Sequence, residues 1–546
     1  MYDILIKGGR ILDGSGNPWF RGDIAISNGL IQKIGKGLDT GADRVIDAKG
    51  LIIAPGFIDA HSHCDSSTLV HRQLDNVIHQ GITTVVSGQC GSSPAPVSEK
   101  SREQAQRNLD NWLPPGYELK ITWSTFDQYL RLEESEGLGA NVAHLVGHGA
   151  VRTAAMGFEA RAPSDSELTE MMRHVEEAMK SGAYGLSTGL IYPPGIYADT
   201  EEIVYLAKVA SGHGGVYDSH IRGEGKTLME ALREAIRIGE EAGLPVQISH
   251  HKVATKSLWG SSVKTLQMFE DARARGIDIT FDQYPYKAGS TSLMTLLPPW
   301  VHDGGREKAL DRLKDPEQRE RMRKEIEAGL PGWENFAGDL GWDNVYVTSV
   351  KTDANKQVEG MNMVEVKNHI NAPDEFTALT QLLLEEEGTP GMVIFYGDEE
   401  DVKRIMRSPL HMVGTDAGSC NIEGPFRKGK PHPRHYGTYP RVLGKYVREE
   451  ATLRLEEAIR KMTSFPAQRF MIEGRGLIRE GFHADLTVFN PNTVIDNSTY
   501  GEPHKFPTGI DYVIVNGVVT IDEGKYTGVL AGKTLRKAPK KIFLNN

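Results

Sequence analysis

Ala54-Pro-Gly-Phe-Ile-Asp-Ala-His-Ser-His63 is a short apolar run closed by two histidines at i and i+2. In a strand, residues two apart share a face, so both imidazoles point the same way from the strand's end. Neutral imidazole is a good zinc ligand, and two on one face can hold one ion. A polar turn carrying two unrelated histidines has the same spacing. Pro55-Gly56 ahead of the run and Asp65 behind it favour a metal site, and the rest of the chain must decide.

Downstream, apolar runs at Thr83–Val86, Asn141–Val146, Tyr184–Leu186, Gly215–Tyr217, Val246–Ile248, Ile277–Phe281 and Met412–Val413 are mostly separated by helix-patterned segments. Ser164 to Lys180 shows the pattern: a serine cap, Glu167 three residues later, then Leu168, Met171, Met172, Val175 and Met179 on one face. With the opening strand these make eight strand–helix units, which predicts an α/β protein built on a (β/α)8 TIM-like barrel with its chemistry at the C-terminal strand ends. A doubly wound sheet fits less well, because no glycine-rich dinucleotide fingerprint follows any strand.

The two ends have another texture. Tyr2–Lys7, Arg10–Leu12, Asp23–Ile26, Leu30–Ile34 and Arg44–Asp47 read as short strands, and Ala484–Phe489 and Tyr512–Thr520 repeat the pattern around an Asn516-Gly517 turn. We expect one small β-domain from residues 1–54 and 478–546, with the barrel, 55–477, inserted between its halves. About a hundred residues separate the seventh and eighth strands; helix-patterned stretches at Arg306–Leu330 and Pro373–Glu387 predict a helical insertion at about 290–395, either a lid or a surface elaboration.

The net charge of −11 over 546 residues gives no electrostatic footprint for nucleic acid or anionic membrane. The basic tail of Arg536, Lys537, Lys540 and Lys541 reads as a solvated end. Cys64, Cys90 and Cys420 cannot form a disulfide framework, no secretion-signal pattern opens the chain, and no apolar run approaches the ~20 residues of a membrane span. A reduced, cytoplasmic protein is expected.

The residues closing the strands carry the chemistry. His61 and His63 follow the first, Ser87-Gly-Gln-Cys90-Gly the second, Asp218-Ser-His220 the fifth, Ser249-His250 the sixth and Gly414-Thr-Asp416 the eighth. Any one histidine is more often structural than ligating, and a buried cysteine is usually a small hydrophobe. Six such residues converging at one end of a barrel would be an improbable accident.

These motifs, with Ser187-Thr-Gly-Leu-Ile-Tyr-Pro-Pro-Gly195, Ser219-His-Ile-Arg222, Ile248-Ser-His-His-Lys252, Phe281-Asp-Gln-Tyr-Pro-Tyr286 and His432-Pro-Arg-His-Tyr-Gly-Thr-Tyr-Pro-Arg441, resemble the amidohydrolase superfamily and within it the D-aminoacylase (N-acyl-D-amino-acid deacylase) group. The resemblance covers nearly the whole chain. It implies one tight zinc and a possible second weak one, and hydrolysis of a small N-acyl-D-amino acid to a carboxylate and a free D-amino acid. Many two-metal members carry a bridging lysine after the fourth strand, but here the region reads Gly185-Leu-Ser-Thr188. By the resemblance Cys90 takes that place: Cys90, His220 and His250 hold the tight metal, and His61, His63 and Asp416 border the second. Amide hydrolysis needs a group that moves a proton, and Asp416 is the candidate general base and then acid. For the α-carboxylate of the substrate the resemblance points first to Lys252, with Tyr192 and Tyr284 as hydroxyl partners. Arg222, Arg434, His148 and His435 either line the pocket or brace it.

After the seventh strand come Leu293, Met294, Leu296 and Leu297, at the mouth where a barrel loop meets substrate, so apolar side chains are expected to be favoured over D-glutamate. Two other readings stay open: a cyclic-amide hydrolase of the hydantoinase or dihydroorotase kind, disfavoured by the missing lysine, and a metal-free barrel acting as an interaction protein, disfavoured by the full set of ligand types. Oligomeric state is not legible.

Overall fold

In the computed structural model, which describes residues 1–38, 41–114 and 116–538, Gly56 divides two strands that join different sheets. Ile52–Pro55 pairs antiparallel with Leu486–Phe489, whereas Phe57–Asp59 pairs parallel with Ile82–Ser87. A Cβ at Gly56 would lie 2.1 Å from the Thr83 hydroxyl, so the crossing requires glycine.

The first of these sheets has nine strands. Tyr2–Ile11, Phe20–Ser27, Leu30–Gly35, Ala42–Asp47 and Ile52–Pro55 come from the N-terminal end, and Leu486–Phe489, Ile510–Val515, Val518–Asp522 and Lys525–Tyr526 from the C-terminal end. The runs expected at Tyr2–Lys7 and Arg10–Leu12 form one strand, with a register shift between Ile6 and Gly9 absorbing Gly8-Gly9. Asn516 and Gly517 both take positive φ, 50° and 80°, as a tight hairpin turn demands.

The second arrangement is a succession of eight parallel strands: Phe57–Asp59, Ile82–Ser87, Asn141–His144 continued by Val146–Gly147, Gly185–Gly189, Val216–His220, Val246–Ile248, Ile279–Gln283 and His411–Val413. Each pairs with the next. Backbone bonds then run from the last to the first: Ala60 N donates to Val413 O at 3.3 Å and Asp416 N to His61 O at 2.8 Å. All eight are buried along their length, which is why they read as continuous apolar runs rather than alternating ones. The helices between them cover the outside; Asp165–Ser181 starts at the Ser164–Glu167 capping box, as its sequence predicts.

The segment between the seventh and eighth strands is more than helical. Ala288–Ser292, Val345–Ser349 and Gly391–Phe395 form a three-stranded antiparallel sheet, packed with helices over a core of its own. The expected Arg306–Leu330 helix is two, Arg306–Lys314 and Pro316–Ala328, because Pro316 lacks the N–H a helix interior needs and opens a new helix behind the Asp315 cap.

The tail also departs from expectation. Thr534–Leu535 leaves the nine-stranded sheet to pair with the Asn141–His144 strand, and Arg536 is not solvated but bonded to Asp127 at 2.7 Å and Glu134 at 2.6 Å. Lys540 and Lys541 lie outside the described residues. Among the described residues no helix is long and apolar enough to cross a membrane.

Candidate active site

Three of the expected site residues sit in strained backbone. Cys90, His250 and Asp416 take φ of 52°, 35° and 51°, a left-handed conformation uncommon for residues other than glycine. Such strain persists only where the surroundings enforce it, and it concentrates at functional sites. Around Cys90 the enforcement is visible: a Cβ at Gly88 would lie 2.0 Å from Leu145 O.

The Cys90 sulfur lies 3.5 Å from His61 Nε2, 3.6 Å from His220 Nδ1 and 3.4 Å from His250 Nε2. A tetrahedral zinc with its usual bond lengths to sulfur and nitrogen separates those two ligand atoms by about 3.5 Å, so the donor set fits such an ion. The chemistry agrees. Burial holds the His220 and His250 imidazoles well below the usual histidine range, in the neutral form that can ligate. Burial and the Asp416 carboxylate push the Cys90 thiol up, so a thiolate there needs a cation beside it. His61 Nδ1 and His220 Nε2 are buried without a hydrogen-bond partner among the described residues.

Asp416 faces the same space. Its Oδ1 lies 3.2 Å from His63 Nε2 and 3.7 Å from His61 Nε2, and its Oδ2 accepts from Arg434 Nη1 at 2.8 Å. Burial alone would raise this carboxyl, but Arg434, His250 and His63 outweigh it and hold it well below the usual carboxylate range. His61, His63 and Asp416 thus form one possible ligand group and His61, Cys90 and His250 another, with His61 common to both. That sharing differs from the expected partition, which gave His61 to the second group only.

Behind the imidazoles stands Glu224. Its Oε1 accepts from Lys252 Nζ at 2.5 Å and lies 3.0 Å from His250 Nδ1, and its Oε2 is 3.8 Å from His220 Nε2. The Lys252 ammonium that Glu224 holds lies 2.7 Å from the same His250 Nδ1, so Glu224 and Lys252 together fix the ring with its Nε2 toward Cys90. Asp282 supports the other side: its Oδ1 accepts His250 N at 2.8 Å and is 3.4 Å from His61 Nδ1.

These groups border a cavity of ≈630 Å³. His63, Cys90, His220, His250 and Asp416 line it together with Lys252, Tyr192, Tyr284 and Arg434, while His61 is fully buried behind them. Tyr284 lies under two cations, Arg434 at 4.8 Å and Lys252 at 5.6 Å from its ring centre, and its hydroxyl meets that of Tyr396 at 2.5 Å. Tyr192 sets its ring edge-on to His220. The other candidates brace. Arg222 is occupied by Glu234, His148 by Glu202, and His435 by the Gly418 carbonyl.

None of Leu293, Met294, Leu296 and Leu297, expected at an apolar mouth, lines this cavity, though Met294 and Leu297 border a smaller chamber beside it. Leu293, Leu296 and Leu297 pack beneath the loop in the insertion's own core, because the segment is the edge of a second folding unit rather than a barrel loop. The apolar wall of the cavity comes from Val97, Ile121, Trp123, Ile191, Phe336 and Ile394. Glu224 and Tyr396 were missed. The only signal for Glu224 is an acid four residues past a candidate ligand histidine, and Tyr396 has none.

The profile of the amidohydrolase family matches residues 44–302 and 321–521. The D-aminoacylase of Alcaligenes xylosoxydans xylosoxydans is 36% identical over 536 residues, covering 98% of this chain and 98% of that protein. A solved D-aminoacylase, described for its binuclear metal center with one-metal activation and second-metal attenuation, matches with TM-score 0.81 and 33% identity over 98% of this chain and 100% of that one. The N-acyl-D-glutamate deacylase of Bordetella bronchiseptica, solved with zinc and a phosphonate inhibitor, matches with TM-score 0.80 and 33% identity over 98% of this chain and 99% of that one.

Proposed function

This chain belongs to the amidohydrolase family, as a metal-dependent hydrolase of N-acyl amino acids, and we propose that it uses zinc to hydrolyse N-acyl-D-amino acids to a carboxylate and a free D-amino acid. The eight-strand succession is read as a (β/α)8 barrel whose strand ends present the site. The observation that carries the proposal is the Cys90 sulfur equidistant from three imidazoles, with Asp416 beside them on an arginine. The D configuration is supported by the three relatives reported above, each of which is named for D-amino-acid substrates.

In this reading Cys90, His220 and His250 hold the tight ion, and His61, His63 and Asp416 border a second position. When bound, the metal supplies polarisation of the scissile carbonyl and lowers the pKa of the attacking water. Asp416 does the proton work: ionised under the influence of Arg434, its Oδ1 accepts the proton of the attacking water and returns it to the departing nitrogen. Lys252, Tyr284 and Arg434 form a cationic corner of the cavity that fits the substrate's α-carboxylate. The Ile191, Phe336 and Ile394 wall supports a preference for apolar side chains.

The test is a set of kcat/KM values for the zinc-loaded enzyme with N-acetyl-D-methionine, N-acetyl-L-methionine and N-acetyl-D-glutamate. The proposal expects the first to lead. Turnover of the L substrate at the same rate removes the chirality assignment, and a faster glutamate substrate removes the apolar preference.

A further inference from the structure

A second, smaller chamber of ≈200 Å³ adjoins the main cavity and shares Gln104, Asn108, Phe158, Ile191, Tyr192 and Pro193 with it. Its inner walls are apolar, with Met294, Leu297, Pro299 and Trp333. One charged side chain lines it: Arg306, the first residue of the Arg306–Lys314 helix. Arg306 is half-buried, and among the described residues its guanidinium makes no hydrogen bond or ion pair; Nη1 is fully shielded from solvent and unsatisfied. Glu387 is the nearby acid, but it is exposed and bonded to Lys351 at 3.0 Å. Arg312 on the same helix and Arg319 on the next behave differently. Arg312 donates to the Val301 carbonyl and Arg319 to the Leu313 carbonyl.

A cation withdrawn from water without a partner is costly unless an anion meets it. The chamber continues from the substrate cavity, its lining mixes apolar walls with the polar side chains of Gln104, Asn108, Ser292, Thr295 and His302, and its one charge is the guanidinium with the unsatisfied Nη1. We infer that Arg306 is an anion subsite for substrate, accepting a terminal carboxylate borne on a short aliphatic chain that enters the chamber from the main cavity. This rests on the hydrolysis proposed above, in which the amino-acid side chain is apolar, and narrows its substrate class to N-acyl amino acids whose acyl group ends in a distal acid. At ~30 Å³ for each small group, the chamber holds a chain of about four or five carbons plus its carboxylate. Guanidinium pairs carboxylate in a planar, two-point fashion that lysine cannot reproduce.

The experiment compares the zinc-loaded wild type with Arg306→Met and Arg306→Lys, each checked for native circular dichroism and zinc content. Three substrates are used: N-acetyl-D-methionine, N-glutaryl-D-methionine with its acid on the acyl group, and N-acetyl-D-2-aminoadipate with its acid on the side chain. The ratio of kcat/KM for the glutaryl substrate to that for N-acetyl-D-methionine falls about tenfold or more in Arg306→Met and partly recovers in Arg306→Lys. A response of the glutaryl substrate supports the acyl-group assignment, and a response of the aminoadipate substrate alone overturns it. Calorimetric titration with glutarate reads the subsite without turnover: the dissociation constant rises about tenfold in Arg306→Met. If both ratios and the glutarate affinity are unchanged, the subsite is refuted. If none of the three substrates is hydrolysed, the functional proposal falls while the glutarate titration still decides the role of Arg306.

Discussion

Replacing Glu224 by Gln keeps the side chain's shape and removes its charge, and the structure fixes what that disturbs. One oxygen of Glu224 accepts from the Lys252 ammonium at 2.5 Å and lies 3.0 Å from His250 Nδ1, which is itself 2.7 Å from that ammonium, all three groups being buried. The ammonium loses its only anionic partner within bonding distance among the described residues. Breaking a buried ion pair from one side costs about 3–5 kcal/mol. Metal affinity falls separately, because Glu224 holds the Lys252 ammonium against His250 Nδ1 and so orients that ring; such outer partners are worth about 10–100-fold. The two effects are separable. Urea unfolding of metal-free protein reports the ion pair, and zinc competition against a chelator of known affinity reports the ligand. Glu224→Gln with Lys252→Met removes the stranded charge, so the double variant recovers much of the stability lost by Glu224→Gln alone while zinc affinity stays low. Should Glu224→Gln hold zinc as tightly as the wild type, the role given to this carboxylate is wrong.

Asp416→Asn retains zinc but lowers kcat by about 100-fold or more, the usual contribution of a positioned acid–base group; an active variant with full zinc would sink the assignment. Cys90→Ala loses zinc and activity together, whereas Cys420→Ser, whose sulfur lies against His435 and away from the imidazole cluster, loses neither, as elemental analysis will show. Away from the site, His144 is bonded to Glu133 at 2.8 Å in a buried pair. Burial opposes the imidazolium, but Glu133 outweighs it and raises the His144 pKa, so its stabilisation is complete below the histidine's unfolded value near 6.5 and fades as pH rises through the higher folded one. The urea-midpoint gap between wild type and His144→Gln is therefore widest near pH 5.5 and narrows in alkaline buffer; a gap independent of pH counts against the charged pair.

What could be read beforehand was whatever lies close along the chain. Each ligand-type residue stands at the end of a buried strand, so an apolar run followed by His, Cys or Asp announced both the strand and the donor. The capping box at Ser164 is likewise a four-residue message. Arrangements made across the sequence were not legible. Leu293 to Leu297 looked like a barrel loop because nothing local marks the start of a sheet completed by Val345–Ser349 and Gly391–Phe395. Arg306 sits in a run of charges that reads as a solvated face, and only its placement against the chamber distinguishes it from its neighbours. Glu224 escaped for the converse reason: its partners Lys252 and His250 come from another strand's end, and no spacing within its own loop predicts them.

The nine-stranded sheet has a consequence for synthesis on the ribosome. Ile52–Pro55 emerges early, yet one of its edges is completed only by Leu486–Phe489, after the entire eight-strand unit has been made. Until then a fully buried, aliphatic strand edge stays open, the kind of surface that recruits other chains. A message cut short before Leu486 therefore yields a product whose candidate metal ligands are all present but whose N-terminal sheet carries an adhesive edge, and such fragments are expected in the insoluble fraction with chaperones bound rather than as a soluble minimal enzyme.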